Sequence, residues 1–179
     1  MEKRKRELLQ RLETFFKNDE DIEEASLFTA EELQVPVDML RVLVLDYGPD
    51  PIDVLAEYSF LPVSGGEEVW YFSSVLTIMS DVPKEGVPAL SCALAKLNFY
   101  LPYGSFALSG DGKMLIYKSV TAVRADSKSA GEDPDDRLYE EIELAADTAL
   151  LVPEGYTGLL RQVADGTLLL DDFLTMLPQ

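Results

Sequence analysis

The chain has no histidine and only one cysteine, Cys92, in 179 residues. Without histidine it lacks the commonest general base, the usual catalytic triads and most transition-metal sites. A single thiol closes no internal disulfide and builds no thiolate zinc site, which agrees with a reducing compartment. No apolar run approaches the roughly 20 residues of a membrane-spanning helix. The opening MEKRKRELLQ is charged and lacks the apolar core of a signal peptide. Basic residues are scarce: 15 against 33 acidic ones, for a net charge of −18. Six of the basic residues and three of the acidic ones fall within residues 1–17, so the rest of the chain is more acidic still. A body this acidic repels phosphate backbones and argues against nucleic acid as a partner. These absences predict a cytoplasmic protein with no membrane span and no cofactor.

What is present fits one globular domain over residues 1–179, with 47% hydrophobic content. The region 86–122 is the best defined. Pro88 suits the first turn of a helix. Leu90, Leu94, Leu97 and Leu101 follow at spacings of four, three and four, on one helical face. Pro102 and Gly104 end that helix. Phe106 and Leu108 begin a hairpin, Ser109-Gly110-Asp111-Gly112 turns it, and residues 114–122 return as a second strand.

Before that region, Leu8, Leu12, Phe15 and Phe16 form the apolar stripe of a first helix, with Lys3, Arg4, Lys5, Arg6 and Arg11 beside it. Such a basic amphipathic helix also suits a membrane surface, but packing on the domain with acidic neighbours is the simpler reading. Residues 18–24 read as an acidic connector. Thr29 and Glu32 have capping-box spacing, so a short helix starts there and stops before Pro36. Residues 39–45 read as a strand and 46–51 as a loop. Ile52, Val54, Ala56, Tyr58 and Phe60 occupy every second position, with Asp53 and Glu57 between them, as in a half-buried strand. Residues 64–66 turn the chain into a long strand, 67–79. There Trp70, Phe72, Leu76 and Ile78 share one parity, and Val69, Tyr71, Val75 and Thr77 the other.

After the hairpin, residues 124–136 form a polar loop. Asp133, Asp135 and Asp136 then lead a helix whose apolar face is Leu138, Ile142, Ala145, Ala149 and Leu150. Pro153 and Gly155 interrupt it, and two short helical segments follow, over 156–163 and 168–177. The expected fold is α+β, an antiparallel sheet of about five strands in α-β-β-β-α-β-β-α order, with extra C-terminal helical segments.

Residues Leu94, Leu97 and Asn98, the corner Tyr103-Gly104, then Phe106, Leu108, Asp111 and Gly112, and the strand 115–120 carry a resemblance to the YbjN-like family. That family shares the type III secretion chaperone-like fold. Tyr156, Leu159 and Gly166 fit its C-terminal helical segment more loosely, and the helical segment after Gly166 departs from it. The resemblance implies a non-enzymatic regulator or chaperone-like homodimer that holds a segment of another protein. It supplies no catalytic residues, cofactor or metal ligands.

Residue chemistry offers few rival sites. Cys92 sits among leucines and reads as a small buried hydrophobe. Gly110-Asp111-Gly112-Lys113 fails as a phosphate loop, because Ala107 stands where its first glycine belongs and Met114 replaces the Ser or Thr that would hold magnesium. The acidic runs 18–21 and 133–136 lack the spaced ligands and the glycine of a calcium loop. Asp46, Asp50 and Asp53 remain the candidates for a carboxylate-based alternative, a small-molecule or divalent-metal-binding sensor or enzyme. The preferred expectation is a partner-binding surface at Leu55, Tyr71 and Val75, on the parity that points away from a helix layer.

Overall fold

The computed structural model describes residues 1–63, 68–125 and 134–177. Six strands are seen there: β1 (Ile22–Phe28), β2 (Met39–Tyr47), β3 (Ile52–Phe60), β4 (Val69–Met79), β5 (Ser105–Leu108) and β6 (Leu115–Arg124). The helices are α1 (Glu2–Phe16), α2 (Ala30–Leu33), α3 (Val87–Leu97), α4 (Pro134–Ala164) and α5 (Leu170–Met176). The strands form one antiparallel sheet in the order β1-β2-β3-β4-β6-β5. The fold is therefore α+β. Strands β1 to β4 meander, α3 crosses over, and the β5–β6 hairpin returns with β6 beside β4.

Alternation sets the two faces of this sheet. Val42, Val54, Ala56, Tyr58, Phe72, Leu76, Leu115 and Tyr117 are all buried on one side. Helix α1 lies on that side through Leu8, Leu9, Leu12 and Phe16. The Phe16 ring stacks on Tyr58 at 5.3 Å, and Tyr58 stacks on Phe72 at 5.9 Å. Leu90, Ala93, Leu94 and Leu97 of α3, and Leu138, Ile142, Ala146 and Ala149 of α4, complete the same core. The cations of α1 are engaged within the molecule. Arg4 donates to Asp135 at 2.6 Å and to the Ala125 carbonyl at 2.7 Å, and Arg11 donates to Asp136 at 3.0 Å.

Two glycines set the corners where elements meet closely. Gly104 has a φ of +65°, and a Cβ there would overlap the Tyr117 hydroxyl, which donates to the Tyr103 carbonyl at 2.6 Å. Gly86 caps α3, and a Cβ there would overlap the backbone carbonyl of Ala164, the last residue of α4.

The structure departs from the sequence reading at several points. Residues 22–24, expected as the end of an acidic connector, instead open the edge strand β1 (Ile22–Phe28). Ala25 is its only buried residue, so its apolar signal is weak, and the strand exists because it pairs with Met39–Val44 of β2. The sheet accordingly has six strands where about five were expected. Helix α3 ends at Leu97, with Asn98 as its C-cap, short of Pro102. Helix α4 runs unbroken through Pro153 and Gly155 to Ala164. Pro153 supplies no N–H to the Ala149 carbonyl. The Tyr47 hydroxyl donates to the next carbonyl, that of Leu150, and secures this stretch against β2. The turn at 64–66, Asp133 and most of the 124–136 loop lie outside the described residues. Arg124 itself belongs to β6.

Tyr58, Ser74 and Ser119 are direct cross-strand partners on the buried face. Their hydroxyls have no hydrogen-bond partner among the described residues. Burying a hydroxyl without a partner costs about 1–3 kcal/mol. Ser74→Ala is therefore expected to raise the melting temperature by a few degrees, since about 1 kcal/mol moves a domain of this size roughly 2–4 °C. A calorimetric scan showing a lower melting temperature would mean that the hydroxyl has a partner.

Candidate functional site

Among the described residues, no helix packs on the second face of the sheet. Across the strands, one row runs Glu24, Leu43, Leu55, Thr77, Ile116 and Ala107, apolar but for Glu24 and one threonine. The neighbouring row runs Ser26, Arg41, Glu57, Val75, Lys118 and Ser105. Arg41 donates to Glu57 at 2.9 Å and lies over the Phe28 ring at 5.6 Å. Further along β4, Tyr71 faces Ala122. Leu55 is 36% exposed, Tyr71 38%, Val69 38% and Val120 42%, so apolar side chains stand open to solvent over much of this face.

The structure places Leu55, Tyr71 and Val75 all on this open face. Leu55 and Val75 are diagonal neighbours across β3 and β4. Tyr71 lies four residues further along β4, about 13 Å from Val75 at the strand rise. Val75 is half-buried between Glu57 and Lys118. Leu43, Ile116 and Val120 share the face and were not singled out from sequence. Ile116 and Val120 were legible from alternation along β6. Leu43 sits in an apolar run, 39–45, broken only by Arg41, and carried no parity signal.

The face is balanced in charge, although the molecule is not. Glu24, Asp53 and Glu57 meet Arg41, Lys118 and Arg124 on it. Contact there is not opposed by the −18 charge of the whole chain in the way that contact with its helical side is.

At one end of the face a groove of about 660 Å³ opens between the start of β3, the end of β4 and the last turn of α4. Leu43, Leu55 and Met79 form its apolar wall, and Asp53, Asp81 and Arg161 its polar groups. Helix α4 approaches closely here because Gly158 has no side chain: a Cβ would overlap the Asp50 carboxylate. Asp50 accepts from the Gln162 amide at 2.9 Å.

The carboxylate candidates do not converge. Asp50 is held by Gln162, Asp53 lines the groove, and Asp46 is exposed with a φ of +50°. No group of three or more His, Cys, Asp or Glu able to hold a metal ion occurs among the described residues. Cys92 is exposed, against the expectation of burial. Leu90, Ala93, Leu94 and Leu97 share the inward side of α3, and Cys92 lies about 200° round the helix from Leu90.

A second depression of about 390 Å³ lies between the end of α1, the start of β1 and α4, where Asp147 sits with Asp19, Asp21 and Glu154. Burial raises the Asp147 pKa, with further rises from Glu143 and Asp19. The folded state therefore binds this proton more tightly than the unfolded chain does. The stability so contributed is present below the unfolded carboxylate pKa and lost as pH rises through the folded one. Asp147→Asn is expected to raise the melting temperature at neutral pH and to leave it unchanged at about pH 3, where both states are protonated. An equal shift at both pH values would trace the effect to packing instead.

No helix among the described residues is long and apolar enough to cross a membrane. The class defined is an α+β protein with helices on one face of an antiparallel sheet and an open, apolar, charge-balanced second face. No protein-family model matches the chain, and no curated protein matches it.

Proposed function

We propose that this chain is a non-enzymatic protein-interaction module, chaperone-like or regulatory, that holds a partner protein segment on the open face of its sheet. The observation that carries this reading is the set of exposed or half-buried apolar side chains, Leu55, Tyr71 and Val75 among them, on a face with no helix among the described residues. Exposed apolar patches of this kind mark contact surfaces. Six strands span five spacings of about 4.8 Å, and the central strands are about 30 Å long, giving a face of about 700 Å². A standard interface takes about 800 Å² from each partner.

The YbjN-like and type III secretion chaperone-like reading of residues 94–120 agrees with this use and implies a homodimer, which we propose to be cytoplasmic. The balanced charge of the face suits self-association in a molecule that otherwise repels its own copies. The test is association of wild type and Tyr71→Glu, by sedimentation velocity for the homodimer and by affinity capture from native host lysate for another partner. Loss in the variant supports the reading, and unchanged association overturns it.

A further inference from the structure

Arg161 is anomalous among the cations of this chain. Arg4, Lys5 and Arg41 are also partly buried, and each is paired with a carboxylate. Arg161 is partly buried too, yet its guanidinium has no ion pair, hydrogen bond or ring contact among the described residues. This occurs in a chain with 33 acidic residues. The last turn of a helix suits a cation, but that preference does not account for a guanidinium lining a groove with an apolar wall and two carboxylates it does not pair with. The groove also holds Asp53 and Asp81, both exposed. A bare anion or a fatty acid would meet two like charges beside the one cation. An extended peptide fits better. Its terminal carboxylate meets the planar guanidinium fork, its last apolar side chain meets Leu43, Leu55 and Met79, and a basic residue upstream meets Asp53 or Asp81.

We propose that this groove receives the C-terminal carboxylate of a partner chain, ending in an apolar residue with a basic residue a few positions before it. The proposal rests on the open-face reading above, because the groove continues that face through Leu43, Leu55 and Thr77. Arg161 acts as the anchor for the carboxylate, and the sheet holds the residues that precede it.

The test is fluorescence anisotropy with a fluorescein-labelled hexapeptide, Val-Lys-Val-Thr-Val-Leu, prepared with a free C-terminus and as the C-terminal amide. Each form is titrated against the full chain as wild type and as Arg161→Gln, with thermal melts confirming that the variant folds. Wild type is expected to bind the free acid about tenfold or more tightly than the amide. Arg161→Gln is expected to erase that difference, chiefly by weakening the acid. Equal binding of acid and amide by wild type, binding of neither, or a preference that survives Arg161→Gln would overturn the proposal. Displacement of the acid peptide by decanoate at matching concentration would also overturn it, by assigning the groove to a fatty-acid carboxylate. The open-face reading is scored separately, by sedimentation of wild type against Tyr71→Glu. Failure of the carboxylate anchor therefore leaves that result standing or falling on its own.

Discussion

Gly86→Ala is expected to destabilise the protein by about 3 kcal/mol or more, the upper end of what overpacking costs a well-filled core. The cause is steric, since the φ of Gly86 is an ordinary −80°. A methyl group there would overlap the Ala164 carbonyl, where the start of α3 abuts the end of α4. Neither side yields cheaply. Leu90 and Leu97 hold α3 in the core, and Leu160 and Val163 hold the end of α4 there. Against a total stability of about 5–15 kcal/mol, such a loss lowers the melting temperature by roughly 10 °C. Gly155→Ala makes the control. Gly155 lies within α4 and is exposed, and a methyl group at that position would have open space within 4 Å. There the same substitution is expected to stabilise by about 0.5–1 kcal/mol, from helix propensity alone. Denaturant melts of the two variants should move in opposite directions. A harmless Gly86→Ala would show that α3 and α4 are not in contact at this point.

Tyr71→Glu is expected to weaken association through the open face strongly while leaving the fold intact. Tyr71 is 38% exposed and the next residue, Phe72, 1%, because successive strand residues point to opposite faces. Substitution at Tyr71 changes strand propensity by less than about 1 kcal/mol. An aromatic anchor in a contact surface is worth about 2 kcal/mol or more, so association should weaken by roughly 30-fold or more. Phe72→Glu should instead unfold the protein, since it buries a charge beside Tyr58. Circular dichroism of both variants, with sedimentation of Tyr71→Glu, checks the pair. If Tyr71→Glu unfolds, Tyr71 belongs to the core and the surface assignment fails.

Where periodicity was strong, the sequence already placed both faces of the sheet. The alternation over 52–60 and 69–79 separated Leu55, Tyr71 and Val75 from Tyr58, Phe72 and Leu76, and the structure keeps them apart. The capping box of Thr29 and Glu32 starts α2 as its spacing predicts. The leucine spacing of 90–97 sets the inward side of α3, and that same geometry turns Cys92 outward. These features depend on neighbours within a turn or two along the chain, and the order of residues records such neighbours directly.

The rest depended on what lies across the fold. The end of the acidic stretch 18–24 joins a strand over 22–28 because β2 offers it a partner. Helix α4 continues past Pro153, a residue that usually ends a helix, while Tyr47 meets the Leu150 carbonyl from β2. Arg161 lies more than 80 residues from the strands whose ends it joins in the groove, and nothing in its local sequence marks it. That α1, α3 and α4 pack on one face, with no described helix on the other, is likewise a tertiary fact. Propensity and period describe one segment at a time. Edge pairing, the support of a proline-containing helix and the partial burial of an unpaired arginine are set by residues distant in sequence, and only the assembled fold brings those together.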